Sequence, residues 1–257
     1  MKTTIKLVLI YFLMQLFAAL AVMPFSMIYA YLEYGNIERS NEFATAPTLL
    51  VGFLFMLAYL WRKGYLTGDK RLYSSVSVSY LFWSGVMGIS VIFMIDFLMS
   101  YLTFLPDWLD DTFDALQSGW LGIVCVGILG PVLEELLFRG AITKVLLEEY
   151  SPKKAILISG LVFGIFHINP VQMVGATLIG FLLAWIYYRT RSLVPCILIH
   201  ILNNSLSVYL SRSFPDVEYT SELIGTPAYP ICLVLAVLLF VLSWRIMNVY
   251  KLSDITD

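Results

Sequence analysis

The stretch Gly130–Gly140 reads Gly-Pro-Val-Leu-Glu-Glu-Leu-Leu-Phe-Arg-Gly. It sets two adjacent carboxylates, Glu134 and Glu135, and one guanidinium, Arg139, inside what otherwise reads as a membrane helix. Upstream, Trp120 to Leu133 carries no charge, and downstream Ala141 to Leu147 adds only Lys144. Ionisable groups at membrane depth are costly and face a protein interior or a water-filled cavity, so each marks a candidate site. On a helix, Glu135 and Arg139 are four residues apart, share a face and stand in the acid-before-base order that favours pairing. Glu134 is turned about 100° from Glu135, so Arg139 cannot serve both equally well. One carboxylate is expected to be neutralised structurally and the other left for chemistry.

Working outward, the chain of 257 residues is 60% hydrophobic and 13% charged, roughly half the charge of a soluble domain. That excludes an ordinary water-soluble fold and makes the lipid bilayer the main partner. No basic stretch points to nucleic acid. Cys125, Cys196 and Cys232 lie in apolar runs without CxxC spacing and read as small core residues rather than disulfide or metal ligands. Hydropathy predicts an all-α polytopic membrane protein with eight spans, near 7–31, 45–61, 78–104, 119–143, 155–169, 171–188, 192–210 and 228–249. The whole chain, 1–257, reads as a single integral membrane domain. The first run contains Ala18-Ala19-Leu20-Ala21, an Ala-x-Ala-like site, but continues apolar to Tyr31, long enough to span, so cleavage is not expected.

Loop charges support this count. With the N-terminus inside, the inner segments hold Lys2, Lys6, Arg62, Lys63, Lys70, Arg71, Lys144, Lys153, Lys154, Arg189, Arg191, Arg245 and Lys251, 13 of the 16 basic residues. The outer loops hold only Arg39 and Arg212, and are acidic at Glu33, Glu38, Glu42, Asp107, Asp110, Asp111, Asp114, Asp216, Glu218 and Glu222. This positive-inside asymmetry places both termini in the cytoplasm. The outer loop 105–118 reads as a solvated acidic stretch, with an interfacial amphipathic segment as the alternative. The tail Lys251 to Asp257 is short and polar. No repeat, low-complexity tract or soluble domain is visible.

Two further polar groups lie within spans. The fifth ends Phe163-Gly-Ile-Phe-His167-Ile-Asn169-Pro170, about 15 residues where roughly 20 are wanted. Its Asn-Pro turn should therefore lie below the surface, which is tolerated only beside protein or water. The seventh contains His200-Ile-Leu-Asn203-Asn204-Ser205, with His200 and Asn204 on one helical face. These are the only two histidines of the chain. At 1.5 Å per residue, Glu134, His167, His200 and Asn204 all fall ~12–18 Å from the inner surface, so they could meet. Asp96 in the third span reads as structural.

A carboxylate, two histidines and an amide suit hydrolysis. The carboxylate takes a proton from water, a histidine positions that water or carries the proton, and the remaining donors face a developing oxyanion. The same Glu134, His167 and His200 could instead hold a divalent metal, zinc among them, with an open position. No Gly-x-Ser-x-Gly serine, intramembrane Asp pair or His-Glu-x-x-His is present.

Taken in order on separate helices, Glu134-Glu135-x-x-x-Arg139, Phe163-x-x-x-His167 and His200-x-x-x-Asn204 resemble the CPBP family, the CAAX-protease and bacteriocin-processing (Abi) family. The resemblance covers about 119–210 and all three motifs match. It implies an intramembrane endopeptidase acting on a membrane-associated peptide or protein. Glu134 then resembles the water-activating glutamate with His167 beside it, and His200 and Asn204 the oxyanion-side pair. Glu135 and Arg139 resemble an orienting pair, with Phe163 packed near the site. By this resemblance no cofactor is expected, although members are also described as metalloproteases. A bacterial plasma membrane and a role in bacteriocin or signal-peptide processing, or in self-immunity, are the expected setting. Two alternatives are a non-catalytic scaffold or immunity protein binding a partner through the same cavity, and a small proton-relay transporter. The second lacks a visible inverted repeat.

Overall fold

A computed structural model of the chain describes residues 1–250 except Gly68 and Ser75, and only the backbone of Lys70 and Arg71. The tail Lys251 to Asp257 lies outside the described residues. Ten helices of five or more residues occur among the described residues: α1 (Lys2–Tyr34), α2 (Ser40–Arg62), α3 (Val78–Met99), α4 (Asp110–Gln117), α5 (Trp120–Glu149), α6 (Pro152–Phe166), α7 (Pro170–Thr190), α8 (Val194–Ser213), α9 (Thr220–Ile224) and α10 (Ala228–Val249). Seven of them, α1, α2, α3, α5, α7, α8 and α10, are long and apolar enough to cross a membrane. The eighth expected span is α6, which at 15 residues is short for one. It stops because Pro170 disfavours helical backbone at the residue before it, and Asn169 is accordingly extended.

The helix of the opening stretch, α5, is the centre of the bundle. Over its most apolar window 56% of residues are buried, against 17–39% for the other six. The helix runs to Glu149, beyond the expected end at 143, because Lys144-Val-Leu-Leu-Glu-Glu are good helix formers. It ends where the chain turns extended at Tyr150 ahead of Pro152. By contrast α3 stops at Met99, short of the expected 104.

Small residues set how closely the helices approach, as is usual where lipid gives no hydrophobic drive to association. A Cβ on Gly164 would come within 1.9 Å of Thr177 Oγ1, and one on Gly160 within 2.2 Å of the Phe181 ring. The antiparallel pair α6–α7 is therefore close-packed through its glycines.

Contacts between helix ends sort into two faces. On one, the Met1 amine meets Glu149 at 2.7 Å, Lys144 meets Asp69 at 3.1 Å, and Arg189 donates to the carbonyls of Met247 and Tyr250. On the other, Asn169 meets Asp107 and Trp108, Arg212 donates to the Gln117 carbonyl, and Thr220 meets Asp96. These are the same two groups of loops that the alternation of charge separates. The segment 105–118 exposes all four of its aspartates but is more than a solvated loop. It contains α4, buries Leu116, and is pinned to Asn169: the Trp108 N–H donates to Asn169 Oδ1 at 3.0 Å, and Asn169 Nδ2 donates to Asp107 at 2.8 Å. A fully buried amide beside a proline turn needs such partners, and the loop supplies them.

Candidate active site

The site is built on irregularities in α5. Two π-helical segments, Cys125–Leu129 and Phe138–Thr143, flank the α-helical Gly130–Leu137 that carries both glutamates. In the first, the Gly130 N–H donates to the Cys125 carbonyl rather than to Val126, and Pro131 has no N–H to offer Gly127. Two carbonyls, Val126 and Gly127, are thereby left without their helical donors. Helix α8 satisfies both: Asn204 Nδ2 donates to Val126 O at 3.1 Å and Ser205 Oγ to Gly127 O at 3.2 Å. This fixes the register of α8 against α5 and, one turn earlier, the position of His200. It also orients the Asn204 amide, because only its nitrogen can face a carbonyl.

The two glutamates separate as their rotation about the helix predicts. Glu135 and Arg139 are both fully buried and joined at 2.7 Å. Arg139 also donates to the Gly180 carbonyl at 3.1 Å and lies 4.5 Å over the Phe163 ring. The same Glu135 oxygen accepts from His200 Nδ1 at 2.8 Å. Glu134 faces the other way. Its Oε2 is buried without a hydrogen-bond partner, 3.7 Å from His200 Nε2 and 3.9 Å from His167 Nε2.

Both histidine tautomers follow from their second nitrogens. His167 caps α6, and its Nδ1 lies 2.8 Å from the Phe163 carbonyl, which can only accept. The proton is therefore on Nδ1, and Nε2 turns toward Glu134. In His200 the acceptor at Nδ1 is the Glu135 carboxylate, with the same consequence. The rings are steadied by edge contacts of Phe163 with His167 at 5.0 Å and with His200 at 5.6 Å. Ile168, next to His167, has φ +59°, a costly conformation for a β-branched side chain that bends the chain sharply away from the ring.

Glu134 Oε2, His167 Nε2 and His200 Nε2 are also the atoms that would hold a divalent metal. They fit in kind, since each ring is anchored through its other nitrogen as metal-ligating histidines usually are. In distance they are looser: neighbouring ligands of a tetrahedral zinc stand about 3.4 Å apart, so holding one asks for a closure of roughly half an ångström. Among the described residues, no group of three His, Cys, Asp or Glu is already close enough to hold a metal ion.

Of the residues singled out from sequence, Glu134, His167 and His200 converge, and Glu135, Arg139 and Phe163 form the layer behind them. Asn204 lies one turn beyond His200, with one amide N–H committed to Val126. Sequence reasoning missed the hydrogen bond from His200 to Glu135, the Gly180 carbonyl under Arg139, and the pinning of Asn169. It also passed over Ser205, for which a signal existed: Pro131 in mid-helix must leave the carbonyl of Gly127 short of a donor.

Residues 116–206, running from α4 through α5 into α8, match the family described as type II CAAX prenyl endopeptidase Rce1-like. A protein of Bacillus subtilis (strain 168) named "Putative membrane peptidase YdiL" is 35% identical over 97 residues. Those residues are 38% of this chain and 40% of that protein, so the similarity spans less than half of either. No solved structure matches the chain. The matched segment contains the three ordered motifs and every side chain of the Glu134–His167–His200 centre, so the likeness falls on the site itself.

Proposed function

We propose that this protein is an intramembrane endopeptidase that hydrolyses a peptide bond of a membrane-associated peptide or protein. The observation that carries the proposal is the buried, unpartnered Glu134 Oε2, faced at 3.7 and 3.9 Å by two imidazole nitrogens. Three acceptor atoms that close together need a proton or a water molecule among them. A water there is bound by the groups that would activate it. Glu134 removes its proton as the oxygen attacks the scissile carbonyl carbon. The C–O bond forms, charge moves to the carbonyl oxygen, and when the C–N bond breaks Glu134 returns the proton to the leaving amine. His167, held through Nδ1 by the Phe163 carbonyl, orients the water.

His200 and the second N–H of Asn204 are the donors for the oxyanion. For His200 to donate through Nε2 its ring must carry protons on both nitrogens. Glu135, at Nδ1, supplies the counter-charge for that form, the part played by the aspartate in a serine-protease triad. A divalent ion held by the same three atoms would polarise the water in the same place. The setting proposed is a bacterial plasma membrane, with a peptide precursor as substrate.

The test compares the peptides released by membranes containing the wild-type chain with those from Glu134→Gln. The variant is expected to accumulate at wild-type level with an unchanged melt and to lose at least one released peptide. Identical peptide sets would refute the protease reading and favour the scaffold.

A further inference from the structure

On the face of α7 opposite Gly180, a groove of about 530 Å³ runs between α3, α7 and α10 and reaches the start of α6. Every side chain lining it is apolar or aromatic. Counted from the helix ends at 1.5 Å per residue, Ile156, Trp185 and Trp244 stand ~6–8 Å above the face that holds the Met1 amine, and Leu98 ~30 Å above it. The groove is therefore longer than the ~15 Å half-thickness of the hydrocarbon core that one acyl chain covers. At its lower end Trp185 and Trp244 stack at 4.5 Å, as indoles do where hydrocarbon meets headgroups.

The charges of these four helices are segregated. They carry Lys153 and Lys154 at the start of α6, Arg189 at the end of α7, Arg245 at the end of α10, and Asp96 on α3. All four cations lie at the end where the tryptophans stack. Asp96 lies toward the other end, bonded to Thr220. Lys153 comes one turn before Ile156, and Arg245 next to Trp244. Lys154 is laid over the Tyr150 ring at 4.4 Å, and Arg189 donates to the Met247 and Tyr250 carbonyls. Lys153 and Arg245 stay exposed. Basic helix ends alone would be no more than the positive-inside pattern. A basic rim around an apolar slot between spans is the form in which anionic headgroups are held.

We propose that this groove binds one anionic phospholipid of the leaflet on the N-terminal face. One acyl chain fills the slot, the glycerol lies at the tryptophan pair, and the phosphate pairs with Lys153 and Arg245. An apolar slot offers water no partners, and the charge at its mouth selects the sign of the headgroup. The bound chain packs α10 against α7, behind the Gly180 carbonyl that accepts from Arg139. The site is thus a support for α7, independent of the reading of Glu134.

The experiment needs no substrate. Native mass spectrometry counts lipids on the full chain released from micelles titrated with phosphatidylglycerol or with phosphatidylcholine of the same acyl chains. The first phosphatidylglycerol should bind at a concentration lower by about fivefold or more. Leu178→Trp fills the slot and should remove that first adduct. Leu161→Trp, on the exposed face of α6 outside the groove, should keep it. Lys153→Gln/Arg245→Gln changes two exposed side chains and should make the two lipids bind alike. Equal binding of both lipids by the wild-type chain, an unchanged adduct in Leu178→Trp, or a preference that survives in the double variant would overturn the proposal. So would a dimer that takes the place of the lipid adduct and is lost in Leu178→Trp, since the groove would then belong to a second copy of the chain. Should Leu178→Trp accumulate poorly, the double variant decides by itself.

Discussion

Replacing Arg139 by methionine, a helix-forming side chain of similar length, removes three contacts at once. These are the 2.7 Å ion pair with Glu135, the 3.1 Å hydrogen bond to Gly180 O, and the guanidinium face 4.5 Å over Phe163. The larger effect is what stays behind: a fully buried Glu135 carboxylate whose Oε2 already lacks a partner, held only by His200 Nδ1. Stranding one charge of a buried pair costs about 3–5 kcal/mol. The double variant Glu135→Leu/Arg139→Met strands no charge. It leaves the His200 Nδ1–H unpaired, which costs roughly 1–3 kcal/mol, and fills the space with apolar atoms. The double variant should thus be more stable than Arg139→Met alone, with a coupling energy of about 2 kcal/mol or more. The assay is chemical unfolding in mixed micelles of wild type, both single variants and the double. Additive costs, or an Arg139→Met protein within about 0.5 kcal/mol of wild type, would refute the assignment of Arg139 as partner of Glu135.

Other expectations follow from the same geometry. Gly164→Ala pushes a methyl group against Thr177 Oγ1 and the Met173 carbonyl (1.9 and 2.6 Å). It should separate α6 from α7, move His167, and lower both melting temperature and peptide release, by roughly 1–3 kcal/mol in stability. Asn204→Ala orphans the Val126 carbonyl at about 0.6–1.7 kcal/mol and should cut cleavage on the order of a hundredfold. Asn204→Asp sets a carboxylate against that carbonyl and should be the less stable of the two on the same melt. Single cysteines in a cysteine-free background should react with an impermeant maleimide from outside the cell at Asp111 and only from inside at Lys63. The reverse pattern would invert the topology.

Much of this was legible from spacing. Apolar runs located the spans because each must satisfy its own backbone in lipid. The 100° between Glu134 and Glu135 was enough to assign one to Arg139 and leave the other free. Asn169-Pro170 announced a turn that needs protein or water to cover it, and Asn169 is fully buried. What could not be read depends on how helices rotate against each other. The Nδ1 of His200 reaches Glu135 only because Asn204 and Ser205 lock α8 onto the π segment of α5, and a π segment has no distinctive side-chain period. The docking of Asp107 and Trp108 on Asn169 joins residues about sixty apart in sequence, a distance no periodicity encodes.

The arrangement turns on one ring. His200 presents Nδ1 to Glu135 at 2.8 Å and Nε2 to Glu134 at 3.7 Å, so one imidazole lies between two carboxylates that are neighbours in the chain. Adjacent residues on a helix can do this because their side chains diverge by about 100° yet start from almost the same depth. The first carboxylate is committed through Oε1, to Arg139 and to the ring; the second is left a gap too wide for a direct hydrogen bond and suited to a water. Exchanging the two roles would require rotating α5 by one residue. The 2.7 Å pair with Arg139, the Gly180 carbonyl and the Val126 and Gly127 carbonyls held by α8 all oppose that rotation. The buried ion pair is therefore best understood as the device that fixes which glutamate faces the water, and its effect on stability is secondary to that choice of register.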